Sequence, residues 1–372
     1  MGARIRFHEL SESRYDAHAF ILDEDGTRYH ETATVSVSVV SAADFNEHVD
    51  KEIEQARVDQ RFPLDLSLLQ WAELLQLNSN TTVIRNSTMN AASGSEEDGP
   101  LLVIGIKTAV LKNFARRQAI RETWANKAVL PPHVKVFFIG CIPNKENLRD
   151  VQRHETAIAL ERAAYGDLLT EELVQCEDSH FLLAEKVSSF LEWVHADLPQ
   201  TKYVMIADDD IYTKVNGVVN DLQSVVQREK LYLGELPNPV HHRPLEPIRD
   251  PSSLYYTSKH SYPMEQFIPY AAGPHFILSM DCVRFIARNR RRLRSLSGQD
   301  DTSVALWLLI IQVHVQQTPA LVSLRFFPCK NDVLSLADLS PLGIRSIHAN
   351  VLHNRPFCFG FDRTTWEWRP IE

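Results

Sequence analysis

KYVMIADDDIY, Lys202 to Tyr212, runs an apolar segment straight into three adjacent carboxylates, Asp208, Asp209 and Asp210. Val204, Met205, Ile206 and Ala207 have the character of a strand buried on both faces. Three like charges at the end of such a strand carry a repulsion and desolvation cost of several kcal/mol unless a cation offsets it. Clustered hard oxygen ligands suit Mg²⁺ or Mn²⁺. The stretch therefore reads as a metal site at the carboxyl end of a strand. The competing reading is three Asp that open a solvated turn or cap the next helix.

Outward from it, the period of the chain supports the first reading. LLVIGIKT (Leu101 to Thr108) and VKVFFIGC are continuous apolar runs, and DLLTEEL reads as a third strand. FARRQAIRETWAN, KENLRDVQRHETAIALERAAYG and HFLLAEKVSSFLEWVHADL between them have helical period. Strand and helix in alternation predict an α/β domain with a mainly parallel sheet, in which ligands bind at the carboxyl ends of the strands. No GxGxxG follows the first strand, and no GxxxxGK precedes a Ser or Thr, so neither a dinucleotide fingerprint nor a P-loop is present. A phosphate here would meet metal and arginine. Arg116, Arg117 and Arg121 are the candidates, unless they are the polar side of a surface helix.

Upstream the chain is different. Residues 1–77 read as a small mixed region: FILDEDGTRYH as strand, turn and strand, ATVSVSVV as a half-buried strand, DFNEHVDKEIEQARVDQ and LDLSLLQWAELLQL as helices. Nothing in it suggests chemistry. Residues 78–100, NSNTTVIRNSTMNAASGSEEDGP, are too polar to order themselves and read as a linker, with the main domain at 101–372. Asn80 and Asn86 stand in glycosylation acceptor patterns. Residues 1–20 hold no apolar run of the length a signal peptide or membrane anchor needs, so the sequence reads as soluble, or as lacking an anchor. Five dispersed cysteines allow two disulfides and one thiol, or none, and no CxxC suggests zinc. A net charge of -9 over 372 residues argues against a general nucleic-acid binder, although Arg288, Arg290, Arg291, Arg292 and Arg294 form one basic run.

RRQAIRETW (Arg116 to Trp124), YGDLL (Tyr165 to Leu169), EDSHFLLAEK (Glu177 to Lys186), YVMIADDDIY, LYLGELPNPV (Leu231 to Val240) and YPMEQFIPYAAGPHFILSMD (Tyr262 to Asp281) resemble, in this order, the motifs of the β-1,3-galactosyltransferase family, glycosyltransferase family 31. The resemblance covers roughly Leu101 to His353. It implies a GT-A fold, a UDP-sugar donor, Mn²⁺, a glycan or glycoprotein acceptor, and inversion through direct displacement by an acceptor hydroxyl. Asp210 matches the direct metal ligand; Asp208 and Asp209 match positions nearer the ribose and sugar, with Asp208 able to share the metal. A base must take the acceptor's proton. The family's acidic pair falls at Asp300 and Asp301, with Asp301 preferred as base. His348 is the expected histidine ligand, His353 its alternative. Lys107, Thr108 and Asp178 match positions that meet the nucleotide, and Gly273 matches a glycine of the donor and acceptor loop.

Two departures stand out. SLYYTS puts Leu254 and Tyr255 where the family has a Lys-Trp pair. The family is also normally anchored by an N-terminal membrane helix in the Golgi, and no such helix is visible here. The expected function is transfer of galactose or N-acetylglucosamine in β-1,3 linkage. The alternatives are an inactive relative that binds glycans or proteins, and a metal-dependent phosphohydrolase.

Overall fold

The computed structural model describes residues 4–11, 14–22, 28–35, 66–78, 99–144, 148–226, 228–236, 246–324 and 329–359. Among these a seven-stranded sheet forms the centre, in the spatial order Gln316–Gln317, Tyr232–Gly234, His275–Ser279, Tyr203–Asp208, Leu102–Lys107, Val134–Ile139, Leu168–Leu169. The last four run parallel. His275–Ser279 is antiparallel to both its neighbours. This is the α/β architecture with a mainly parallel sheet expected from the sequence.

The order also locates a crevice. From Leu102–Lys107 the chain first builds outward through Val134–Ile139 to Leu168–Leu169, then returns to place Tyr203–Asp208 on the opposite side. The two strands that flank this reversal end at Lys107 and Asp208, which are direct partners across the pair. A reversal of this kind opens a cleft beyond the carboxyl ends of the strands.

Alternation along the strands feeds two cores. Tyr203, Met205 and Ala207 enter one with Ala119 and Ile120 of the helix Phe114–Glu122 and Ile344 and Ile347 of Pro341–Leu352. Val204 and Ile206 enter the other with Phe190 of Leu183–Asp197, Val283 of Met280–Asn289 and Val304 of Asp300–Leu309. The Leu183–Asp197 helix lies so close that a Cβ on Gly105 would sit 2.2 Å from the Phe190 ring. Only a glycine admits that approach.

Several expectations change. DLLTEEL is a strand only at Leu168–Leu169, because the Glu172 carboxylate accepts the Thr170 N–H and turns the chain. The Leu68–Asn78 helix, expected to belong to the N-terminal region, packs on the main domain, its Trp71 ring 5.0 Å from Phe114 and 5.8 Å from Tyr165. By packing, that helix is part of the main domain. Arg4–Ser11, Arg14–Leu22 and Arg28–Val35 form a separate antiparallel sheet, with the expected hairpin pairing Leu22 with Arg28. Residues 36–65 and 79–98, with the second half of ATVSVSVV, the DFNEHVDKEIEQARVDQ segment, the linker, Asn80 and Asn86, lie outside the described residues. Cys141 pairs with Cys176 and Cys329 with Cys358, and Cys282 is a buried thiol.

Candidate active site

The three Asp do not act as one group: Asp208 closes the strand Tyr203–Asp208, and Asp209 and Asp210 lie in the bend beyond it. Asp208, at the end of its strand, meets the Lys107 Nζ at 3.0 Å. The same nitrogen donates to Asp300 Oδ2 at 2.7 Å and to the Gly273 carbonyl at 3.0 Å. Those three acceptors use its three protons. Burial alone would lower the Lys107 pKa, but the Asp208 and Asp300 carboxylates outweigh it and hold it above the ordinary lysine range. One buried cation thus joins the acidic strand end to the acidic start of the Asp300–Leu309 helix.

Asp301, the next residue of that helix, is half-buried, with Oδ1 accepting from its neighbour's Thr302 N–H at 2.7 Å. Its Oδ2 faces Gly273, where an added Cβ would lie 3.3 Å away. Burial, and then the charge of Asp300, push the Asp301 pKa up to about 7. A carboxyl group tuned close to neutrality has the basicity that proton abstraction at physiological pH needs. The Gly273 contact makes a prediction: Gly273→Ala displaces the Asp301 carboxylate and lowers kcat by about tenfold, since small misplacements of a reacting group are costly. Steady-state kinetics and a melting curve check it; a lower kcat with an unchanged Tm is expected.

On the other side, Asp209 turns inward. Its Oδ2 accepts from Thr108 Oγ1 at 2.6 Å and Asn113 Nδ2 at 2.9 Å, and its Oδ1 from Arg116 Nη1 at 3.0 Å. With its side chain 4% exposed and both oxygens engaged, Asp209 ties the loop after Lys107 to the strand end and is not free to meet a nucleotide. That corrects its expected role.

Asp210 is the least compensated of the three. Arg116 Nη1 is 3.6 Å from its Oδ2. Burial pushes its pKa up to about 8, Arg116 pulling against that while Asp208, Asp338 and Asp209 add to it. Burial likewise lifts Asp208, to about 6, with Lys107 opposing. Oxygen donors on an under-neutralised acidic cluster fit a hard divalent cation. Among the described residues no three such side chains already converge as a closed metal cage.

Asp338 is a carboxylate that sequence reasoning missed. It sits in the left-handed region at φ 65°, uncommon for a residue with a side chain. The Leu339 N–H donates to the Asp210 carbonyl at 2.8 Å, which ties the turn to Asp210, and Ser323 Oγ donates to the Asp338 carboxylate, which ties it to the neighbouring strand. Nothing but a lone Asp in ADLSP marks it in the sequence.

The remaining expected residues fall into two sets. Arg117 and Arg121 are interior: Arg117 forms a two-point pair with Glu161 (2.7 Å each), and Arg121 meets Glu161 at 2.8 Å and Asp167 at 2.7 Å, over the Tyr165 ring. Both guanidinium groups are buried against interior carboxylates rather than presented to the cleft, which counts against the phosphate role expected of them. They brace the loop instead, Arg117 donating to Ala109 and Val110 carbonyls. Arg117→Met, which leaves the fully buried Glu161 short of charge, is expected to cost about 3 kcal/mol of stability, read by chemical denaturation. Arg116 remains at the cleft, 33% exposed.

Thr108 is committed to Asp209, and Asp178 accepts the Val110 N–H at 2.8 Å and the Lys186 ammonium at 2.7 Å. Both shape the loop. His348 Nδ1 lies 3.0 Å from the hydroxyl of Tyr212, a residue two positions beyond Asp210, and burial lowers its pKa. His353 is exposed and bound to the Ala349 carbonyl of its own helix.

A mainly parallel α/β sheet with paired carboxylates around a switch point, a lysine between them and a near-neutral carboxyl group opposite is an arrangement suited to binding and proton transfer at the strand ends. The sequence profile described as Galactosyltransferase matches residues 115–319, more than half of the chain, which therefore belongs to that family. A human lactosylceramide 1,3-N-acetyl-beta-D-glucosaminyltransferase is 31% identical over 55% of this chain and 53% of its own length. The Arabidopsis thaliana hydroxyproline O-galactosyltransferase GALT5 is 29% identical over 70% of this chain and 37% of its own. The chain thus spans about half, or less, of these relatives. A solved glycosyltransferase involved in glycosylation of the major capsid of PBCV-1 aligns with 65% of this chain and 96% of its own at 11% identity and a TM-score of 0.33.

Proposed function

We propose that this chain is an inverting, metal-dependent hexosyltransferase that moves galactose or N-acetylglucosamine from a UDP-sugar to a hydroxyl of a glycan or glycoprotein in β-1,3 linkage. The observation that carries it is the Lys107 bridge, which sets the donor-side carboxylate Asp208 and the acid pair Asp300 and Asp301 on one rim. The relatives' names supply the two candidate sugars.

In this reading Asp301 accepts the proton of the acceptor hydroxyl. The freed oxygen bonds to the anomeric carbon as the bond from that carbon to the β-phosphate oxygen breaks, and UDP leaves with the electron pair. Arg116, the most exposed member of the arginine trio, meets the diphosphate. Asp210 and Asp208 would hold Mn²⁺, with His348, hydrogen-bonded to Tyr212 two positions beyond Asp210, the expected histidine donor, and Asp338, next to the Leu339 that bonds the Asp210 carbonyl, a further carboxylate. The chemistry such an ion supplies is neutralisation of charge on the leaving diphosphate. Lys107 keeps Asp208 and Asp300 at fixed separation throughout.

Two disulfides favour a secretory compartment, because such bonds persist where the environment is oxidising. Among the described residues no helix is long and apolar enough to cross a membrane. The test is a donor screen that follows UDP release with Mn²⁺ present. UDP-galactose or UDP-N-acetylglucosamine should give the highest rate; turnover of a GDP- or CMP-sugar instead would contradict the proposal.

A further inference from the structure

The basic run of the sequence lies on a surface the transferase reading does not use. Residues 284–294, RFIARNRRRLR, hold six arginines and no acid, in a chain whose net charge is -9. The helix Met280–Asn289 ends inside this run, and the Leu293 N–H donates to the Asn289 carbonyl at 3.1 Å, so a helical turn carries past Arg292. Cys282, Val283, Ile286 and Ala287 turn into the core, with Phe285 and Leu293 packed against it. Arg284, Arg288, Arg291 and Arg292 fall on the opposite, exposed side, and Arg294 is exposed just beyond.

This face is held firmly, and its charge is not balanced locally. Arg290 turns back to Glu192 at 2.6 Å, and the Arg294 carbonyl accepts the Trp307 indole N–H at 2.8 Å. Among the described residues no carboxylate comes within ion-pair distance of the five exposed guanidinium groups. Asp281, the one acid of the helix, is engaged by Ser279 Oγ at 2.6 Å and the Lys230 N–H at 2.9 Å. The positive field reaches the next helix: burial, and then the Arg288 and Arg284 charges, lower the pKa of His195 on Leu183–Asp197.

Arg284 to Arg292 covers about 12 Å along the axis, enough to meet several anionic groups at once, which a polymer offers and a single ion does not. Three kinds of polyanion carry such groups. A membrane surface asks for apolar side chains to insert, and here the apolar side of the helix is taken by the core. The two disulfides favour a secretory compartment, whose lumen holds no nucleic acid and faces away from the anionic cytoplasmic leaflet. Sulfated glycans remain, and the guanidinium fork suits their sulfate oxygens. We propose that Arg284, Arg288, Arg291, Arg292 and Arg294 form a binding surface for a sulfated polysaccharide. The surface goes beyond the transferase reading and does not depend on it, since it holds a chain by charge and makes or breaks no bond.

Heparin, a sulfated glycan, is the probe. Binding of a fluorescent heparin oligosaccharide to the full chain is followed by anisotropy as salt is raised. The wild type should bind at low salt and weaken steeply with ionic strength. Arg288→Glu and Arg291→Glu should each weaken binding by about tenfold, and Arg288→Lys, which keeps the charge, by less. Lys135→Glu, a charge reversal at an exposed position of the strand Val134–Ile139, should change it by less than about twofold. No heparin binding by the wild type at low salt, or equal losses from Lys135→Glu and Arg288→Glu, overturns the proposal. Tighter binding, at equal charge, to phosphatidylserine vesicles or to single-stranded DNA overturns it as well, by assigning the face to a membrane or a nucleic acid. UDP release by Arg288→Glu should match wild type. Absence of UDP release from the wild type sinks the transferase reading instead, and the heparin result still decides the surface. Melting temperatures equal to wild type show that the exposed arginines are not needed for folding.

Discussion

Asp301→Asn is expected to lower kcat by about a thousandfold, within the usual range for removing a general base, and to leave the donor KM within a few-fold of wild type. The pH profile separates this from a loss of structure. The Asp301 pKa is raised to about 7 by burial and the neighbouring Asp300. A base works only when deprotonated, so the wild-type rate should climb with pH up to about 7 and level off above it. The Asn variant, which cannot titrate, should lose that climb. A variant that keeps the climb would assign the proton to some other group, and Asp300 is a poor substitute because its Oδ2 is already paired with Lys107 at 2.7 Å. A direct readout is UDP release at saturating substrate on either side of neutrality.

Much of the frame of this site is legible in the sequence. A continuous apolar run ending in like charges can be little other than a buried strand with a cluster at its end, and the strands Leu102–Lys107, Val134–Ile139 and Tyr203–Asp208 appear where the runs are. What each charged residue does there is less legible. Helical spacing puts Arg116, Arg117 and Arg121 near one another but leaves open which face they take; packing sends Arg117 and Arg121 to Glu161 and Asp167 and leaves only Arg116 of the three at the cleft. The role expected of Asp209 fails for a reason no local pattern carries. Asp208 closes its strand and Asp209 opens the bend after it, and the structure gives them separate partners, Lys107 for one and Thr108, Asn113 and Arg116 for the other. Short pieces such as Tyr232–Gly234 and Ser335–Ala337 owe their existence to neighbours in space, so no local pattern announces them. Asp338 arrives at the site directly after one of these.

Asp210→Asn should abolish Mn²⁺-dependent donor turnover, by about a thousandfold or more, while making the metal-free protein more stable at neutral and alkaline pH. The sign comes from the raised pKa. In the unfolded chain Asp210 titrates near 3.8, in the folded one near 8. Between those values the unfolded chain sheds the proton more readily, so deprotonation favours unfolding and wild-type stability declines as pH rises across that window. Asn carries no such charge, so the variant's melting temperature should match wild type near the lower value and exceed it near the upper. The cation reverses the comparison. An ion held by Asp210 must displace its proton, so the apparent affinity for Mn²⁺ should tighten by up to about tenfold per pH unit below that upper pKa, with proton uptake by the buffer visible in calorimetry. Added Mn²⁺ should then raise the wild-type melting temperature and leave the variant's where it was. Asp209→Asn sets the contrast: its two oxygens hold Thr108, Asn113 and Arg116 in a dry site, so that variant should lose stability at every pH, with or without metal. If Asp210→Asn were the less stable of the two, the third carboxylate would be structural, and the ion would have to be sought at Asp208.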